Sequence, residues 1–229
     1  MIDIHTHILP YIDDGSKDLE SSINLIKESV NFGVTDLFLT PHYMKTRDYL
    51  STYEQNREVF LKLKEIVNEL SIPIQLHLGN EIYYTIESIK NLRDKTVIPL
   101  GKTKMVLIEF STIEEEDIAE AIHNIKALGY CPIIAHAERY SYLKSLSDYE
   151  IIKKMGGLIQ INAGSVIGQS GLTIKKFIHK LIKNNLIDFV ASDIHTFRKN
   201  YLKEAYDYVQ KKYGTIVAEK LFNNRIMLT

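Results

Sequence analysis

Met1-Ile2-Asp3-Ile4-His5-Thr6-His7 begins the chain with an apolar, β-branched run whose end carries two imidazoles two residues apart. On a regular strand, residues i and i+2 point to the same face, so one cation can take both rings. Alone the pair is weak, because strand histidines often satisfy only local hydrogen bonds. The pattern recurs, however: Thr40-Pro41-His42, Gly79-Asn80-Glu81, Ile108-Glu109, Ala135-His136 and Ser192-Asp193-Ile194-His195 each put a metal-ligand side chain just after such a run. Catalytic groups gathered at the C-terminal ends of parallel strands are the signature of an α/β barrel.

Working outward, strands are expected at residues 2–5, 36–40, 74–79, 105–110, 132–135, 158–162 and 187–192. Leu19, Ile23, Ile26 and Val30 form a helical stripe, with Ser16 as the expected N-cap, Asp18 and Glu20 in the first turn and Gly33 at the C-terminal cap. Tyr53, Phe60, Leu63, Val67 and Leu70 make a second helix, closed by Pro73. Ile118, Ile122, Ile125 and Leu128, followed by Gly129, make a third, and others are expected at 148–155, 174–184, 201–212 and 216–222. Seven βα alternations with no low-complexity linker or internal repeat predict one domain over residues 1–229, a (β/α)7-type barrel.

Composition narrows the function. Hydrophobic content of 45% and charged content of 25% are ordinary globular values. The 28 basic and 29 acidic residues leave a formal net charge of −1, which disfavours nucleic acid as a partner. The lone Cys131 excludes an intramolecular disulfide and suits a reducing compartment. No apolar run approaches a membrane span, and strand-like sequence from residue 2 leaves no room for a signal peptide. The expectation is a complete cytoplasmic protein with no membrane insertion.

The candidate metal ligands are His5, His7, Asp14, His42, Glu81, Glu109, His136, Asp193 and His195. They exceed what one ion needs, whereas two or three ions sharing a bridging carboxylate would use them all. Imidazoles mixed with carboxylates suit manganese, iron or zinc.

His5-Thr6-His7-Ile8-Leu9-Pro10, Asp13-Asp14-Gly15-Ser16, Thr40-Pro41-His42, Gly79-Asn80-Glu81, Glu109-Phe110, His136-Ala137-Glu138-Arg139-Tyr140, Ile161-Asn162-Ala163-Gly164-Ser165 and Ser192-Asp193-Ile194-His195 resemble the polymerase and histidinol phosphatase (PHP) superfamily. Within it they are similar to the bacterial manganese-dependent tyrosine phosphatases of capsule and exopolysaccharide operons, in order from residue 1 to about Ala205. The resemblance implies the PHP fold, a distorted TIM-like barrel, and two or three divalent ions, manganese first. It implies one ion on His5, His7, Glu81 and Asp193, a second on Glu81, Glu109 and His136, and a third on Asp14, His42 and His195. Pattern does not separate Asp13 from Asp14. The implied substrate is a phosphotyrosine protein, the tyrosine-rich tail of a bacterial tyrosine autokinase, and Arg139 would hold its phosphate. Such phosphatases usually carry a second arginine soon after the last histidine; here the segment is shorter, and Arg198 or Lys199 is the candidate.

The residues suit that chemistry. Metal coordination lowers the pKa of water from about 15.7 toward about 7, giving a nucleophile at neutral pH. Arg139 adds a forked, permanent cation for phosphoryl oxygens. Phenolate leaves with a pKa of about 10, so an aryl ester depends less on a strong general acid. Tyr43, Tyr83, Tyr84 and Tyr140 follow predicted ligands and could stack on an aryl phosphate, although fourteen tyrosines make some such adjacency expected. Lys45 and Arg47 could steer an acidic peptide or simply be solvated.

Rival readings are a PHP-type phosphatase of a small alkyl phosphate such as histidinol phosphate, and a non-catalytic metal-binding regulator. Cys131 is not the nucleophile of a C-x5-R phosphatase, since position 137 is Ala137, and Gly168-Gln169-Ser170-Gly171 fails G-x-S-x-G at Leu172. His77, His123 and His179 are expected to be structural.

Overall fold

The computed structural model describes residues 1–224; residues 225–229, the end of the expected 1–229 domain, lie outside them. The strands are β1 (Ile2–Thr6), β2 (Asp36–Leu39), β3 (His42–Tyr43), β4 (Gln75–Leu78), β5 (Glu81–Tyr83), β6 (Met105–Glu109), β7 (Cys131–Ile134), β8 (Leu158–Asn162) and β9 (Phe189–Ala191). The helices are α1 (Leu19–Asn31), α2 (Tyr53–Glu69), α3 (Ile86–Arg93), α4 (Ile118–Ala127), α5 (Leu146–Lys154), α6 (Ala163–Ile167), α7 (Leu172–Lys183), α8 (Leu202–Tyr213) and α9 (Thr215–Phe222).

Every strand ladder is parallel, in the orders β1-β2-β4 and β3-β5-β6-β7-β8-β9. The expected strand at 36–40 breaks at Thr40-Pro41, where proline has no N–H to continue a ladder, and resumes as β3. The run at 74–79 likewise breaks at Gly79-Asn80 and resumes as β5. Both breaks carry the chain from one sheet to the other. Asn80 staples them, its Nδ2 donating to Pro41 O at 3.2 Å and its Oδ1 accepting from Ile98 N at 3.1 Å. At the other border His7 N donates to Ile194 O and Asp193 N to His5 O, each at 3.0 Å. The sheet is thus curled and parallel as expected, but its ladder is divided in two rather than running continuously through seven strands.

Strand alternation sorts the core into two layers. Ile2, Ile4, Phe38, Met105, Leu107, Ile133, Ala135, Phe189 and Ala191 pack in one cluster. Leu37, Leu39, Val106, Ile108, Ile134, Ile159, Ile161 and Val190 pack with Ile26, Leu63, Ile122, Ile178 and Val209 of the helices in the other. Each such buried side chain contributes about 1.5–3 kcal/mol relative to an exposed one. Glu109 continues the parity of Met105 and Leu107, so the layer that is apolar below becomes polar at the strand ends.

Two local expectations need correction. Asp18, not Ser16, caps α1, accepting from Ser21 N at 2.7 Å. Ser16 is instead buried under the His7 backbone, donating its N–H to His7 O at 3.0 Å. Helix α3, opened by a Thr85–Ser88 capping box, and the short α6 were not expected from periodicity.

Candidate metal centre and active site

The first two candidate ligand histidines are oriented from behind. His5 Nδ1 lies 3.1 Å from Gln160 Oε1, and that same oxygen accepts the backbone N–H of His136 at 2.8 Å, which settles which way the amide faces. His5 therefore donates through Nδ1 and turns the lone pair of Nε2 inward. His7 Nδ1 is bound at 2.7 Å by Asp13 Oδ2 and His195 Nδ1 at 3.0 Å by the Asp193 carbonyl, with the same consequence. Such partners behind a ligand fix its tautomer and ring plane.

Glu81 lies at the centre, with no exposed surface. Its Oε2 is 3.1 Å from His5 Nε2, 3.2 Å from His7 Nε2 and 2.9 Å from His42 Nδ1, while Oε1 is 2.9 Å from His136 Nε2. Asp193 Oδ1 approaches His5 Nε2 at 3.6 Å and His7 Nε2 at 3.5 Å. Glu109 lies 3.6 Å from both His42 Nδ1 and His136 Nε2. Asp14 Oδ1 lies 3.4 Å from His195 Nε2 and 3.7 Å from His42 Nε2. All nine predicted donors meet in one place. Seven of them form three groups whose donor atoms fall within 4.8 Å of one another: His7, Asp14, His42 and His195; His5, His7 and Glu81; His42, Glu81 and Glu109. His7 and His42 each belong to two groups, an overlap the sequence assignment lacked.

The backbone works to achieve this. His136 (φ 32°) and Asp193 (φ 51°) occupy the left-handed region just past β7 and β9. For residues other than glycine this costs of order 1–3 kcal/mol, and such strain collects at functional sites. Gly15 has no such φ but no room: a Cβ there would stand 1.9 Å from His7 O, so only glycine lets the Asp13–Asp14 turn press against His7.

Burial opposes ionisation of Glu81, but the imidazoles of His5, His42 and His136 hold its carboxyl well below the usual range. Burial, then the neighbouring Glu81 charge, pushes Glu109 up to about 7. The close approach of the His195 ring, at 3.4 Å, keeps Asp14 low. Asp14 Oδ1, His42 Nδ1, Glu81 Oε2, Glu109 Oε2 and His136 Nδ1 are all buried without a hydrogen-bond partner. Orphaned lone pairs in such number are costly unless a cation takes them. This donor set, free of thiolate, fits hard or borderline divalent ions.

Two guanidinium groups flank the rim. Arg198 Nη1 donates to Asp193 Oδ2 at 2.7 Å, and Arg139 Nη1 lies 3.5 Å from the same oxygen. Both line a cavity of about 360 Å³ with Asn162, Ser165 and Tyr201. Lys199 also lines it, but its ammonium pairs with Glu204 at 2.9 Å, leaving Arg198 as the second arginine beside the donors.

The tyrosines fare differently. Tyr140 is 2% exposed; its hydroxyl accepts from Phe110 N at 3.2 Å and its ring packs edge-on to His136 and against Tyr142. Its expected role as a substrate-stacking partner is therefore corrected to one in the core. Tyr43 lines a separate cavity of about 360 Å³ with Leu50, Tyr83 and Ile86, and the ring stacked on His42 belongs to Tyr49. Lys45 pairs with Glu87 and Arg47 with Asp14. His77 pairs with Asp36, and His179 with Tyr208 and Lys212, away from the centre. Cys131 is half-buried with its thiol pKa raised by burial.

Gln160, Asn162 and Asp13 escaped the sequence reading as supports of the site. Gln160 Nε2 donates to Asn162 Oδ1 and Asn162 Nδ2 to Asp193 Oδ2, each at 2.8 Å, so two amides link His5 to Asp193. The available signal was their spacing: two polar residues at i and i+2 in the apolar strand Leu158-Ile159-Gln160-Ile161-Asn162.

A curled parallel sheet with this donor set at its strand ends is the arrangement of a PHP-type fold. The family model for capsular polysaccharide synthesis, CpsB/CapC, matches residues 1–228, and the chain belongs to that family. It is 36% identical over 232 residues to the tyrosine-protein phosphatase CpsB of Streptococcus pneumoniae, covering 97% of this chain and 95% of that one. It is 33% identical over 233 residues to the tyrosine-protein phosphatase YwqE of Bacillus subtilis, covering 100% and 91%. The solved structures of YwqE and CpsB, described as unique metal-dependent tyrosine phosphatases, give a match with TM-score 0.90 at 31% identity, over 100% of this chain and 93% of the other. The histidinol phosphate phosphatase of Lactococcus lactis shares the fold, with TM-score 0.58 at 12% identity over 93% and 94% of the two chains.

Proposed function

We propose that this chain is a metal-dependent protein-tyrosine phosphatase. The observation that carries the reading is its full-length likeness to tyrosine-protein phosphatases, joined to a donor cluster that orphaned buried atoms mark as a cation site. His5, His7, Glu81 and Asp193, then Glu81, Glu109, His136 and His42, then Asp14, His42 and His195 would hold two or three divalent ions, manganese first, with iron or zinc as alternatives. Bound ions supply Lewis acidity toward a phosphate ester and acidify coordinated water. Arg139 and Arg198 hold the phosphoryl oxygens through charge-assisted hydrogen bonds, in the cavity that both line. Asp193 keeps the Arg198 guanidinium aimed at that cavity. Asp13 and Gln160 keep His7 and His5 in the donor-ready tautomer.

The parallel bridge between Thr6 of β1 and Ile194, just past β9, with the two strands broken at Pro41 and Asn80 counted as one each, supports reading the sheet as a distorted (β/α)7 TIM-like barrel. Among the described residues no helix is long and apolar enough to cross a membrane. The substrate proposed is phosphotyrosine on a bacterial tyrosine autokinase that controls capsule or exopolysaccharide synthesis, met in the cytoplasm. One manganese-loaded preparation assayed on a phosphotyrosine peptide, a phosphoserine peptide and histidinol phosphate tests this. Preference for the first is expected; preference for histidinol phosphate, or hydrolysis of none, overturns it.

A further inference from the structure

The largest of the cavities described here, about 540 Å³, lies away from the metal centre and has a consistent character. Its floor is β4, residues Gln75–Leu78. That strand has a single ladder partner, β2, and ends its sheet; on its other edge Leu78 O accepts Gly101 N at 2.8 Å, while Leu76 faces no strand among the described residues. One wall is a stripe of α2: Tyr53, Arg57, Phe60, Leu61 and Lys64, at the spacing that shares a helix face. The facing wall includes Ile98 and Lys102.

The charges are sorted. Arg57, Lys64 and Lys102 line the groove, and no carboxylate does. The acids of α2, Glu54, Glu58, Glu65 and Glu69, lie off the stripe. None of the three cations has a carboxylate within ion-pair distance among the described residues. Leu61 is 46% exposed at the groove, next to the Phe60 ring. In a chain of net charge −1, a groove holding three cations without a carboxylate partner and no acid is a local excess rather than a general property.

We propose that this groove docks an extended acidic segment bearing aromatic side chains, laid against β4 where Gly101 leaves its edge open at Leu76. Main-chain hydrogen bonds to an exposed strand edge give affinity, and side-chain pockets give selectivity. Lysine and arginine on both walls meet carboxylates, while Tyr53 offers a face to an aromatic ring and Lys64 lies over the Phe60 ring. The proposal rests on the phosphatase reading in one respect: it makes the segment a remote part of the protein substrate, so the groove would select which phosphoproteins reach the metal centre.

The probe is a fluorescein-labelled, unphosphorylated glutamate–tyrosine copolymer, titrated by anisotropy against the full chain loaded with manganese. Arg57→Glu combined with Lys102→Glu changes only exposed side chains and should weaken binding about tenfold or more, a factor equal to about 1.4 kcal/mol. Hydrolysis of p-nitrophenyl phosphate, too small to span both sites, should be unchanged in that variant. With the phosphorylated copolymer as substrate, KM should rise and kcat stay level. Independently of the variant, hydrogen exchange of the wild-type amides should slow in residues 75–78 on adding the copolymer. Unchanged affinity in the folded variant, or protection confined to the metal face, overturns the docking groove. Binding at β4 by a protein that hydrolyses no phosphotyrosine would uphold the groove and defeat the phosphatase reading instead.

Discussion

At the scale of single residues, the proposed reading separates side chains that would hold ions, side chains that aim those holders and side chains that would meet substrate. Arg139 belongs to the last group, so Arg139→Ala should leave metal content and Tm near wild type. Losing a charge-assisted hydrogen bond, worth about 1.5–3 kcal/mol, should cut kcat/KM on a phosphotyrosine peptide roughly tenfold to a few hundredfold. Arg139→Lys should recover only part, lacking the planar fork. Gln160 belongs to the second group: Gln160→Leu removes the acceptor for both His5 Nδ1 and His136 N. Metal affinity in buffered-metal titrations should fall about 10–100-fold, the usual consequence of losing a partner behind a ligand. Tyr140→Phe tests the corrected assignment, since only the hydrogen bond from Phe110 N is lost. Tm should drop by the equivalent of about 1 kcal/mol with kcat/KM little changed, whereas a large rise in KM would restore Tyr140 to substrate binding.

At the scale of elements, function depends on strands that stop or turn at the right residue. The breaks at Thr40-Pro41 and Gly79-Asn80 shift His42 and Glu81 into a second sheet, and Asn80 ties the breaks together. Their apolar runs were legible by alternation, but the breaks were not, because a two- or three-residue strand after a proline or glycine has too little length to show a period. The turn after β1 is equally tight. Gly15→Ala must move either the His7 backbone or the Asp13–Asp14 turn, since its Cβ would meet His7 O at 1.9 Å. The expected result is a lower Tm together with loss of bound metal by elemental analysis; full metal content at wild-type Tm would show the turn to be freer than its packing implies.

For the whole molecule, the buried donors couple ion binding to stability. The orphaned atoms among these carboxylates and imidazoles gain a partner when an ion enters, so manganese should stabilise the fold. At about 100 times its Kd it adds about 2.7 kcal/mol, or roughly 5–10 °C in Tm for a chain of this size, reversed by chelation in a thermal-shift experiment. Thiol alkylation at Cys131 should leave activity intact. The sequence alone determined the alternation of parallel strands and helices and the nine donors at the strand ends, because hydrophobic period and residue chemistry are local properties. The contact of Asp13 with His7, the pairing of Arg198 with Asp193 and of Lys199 with Glu204, the burial of Tyr140 and the support given by Gln160 were decided only by the tertiary structure. Each is a question of which neighbour a side chain meets across the sheet: Gln160 and His5 are adjacent in space and 155 residues apart in the chain, a contact that no local pattern encodes.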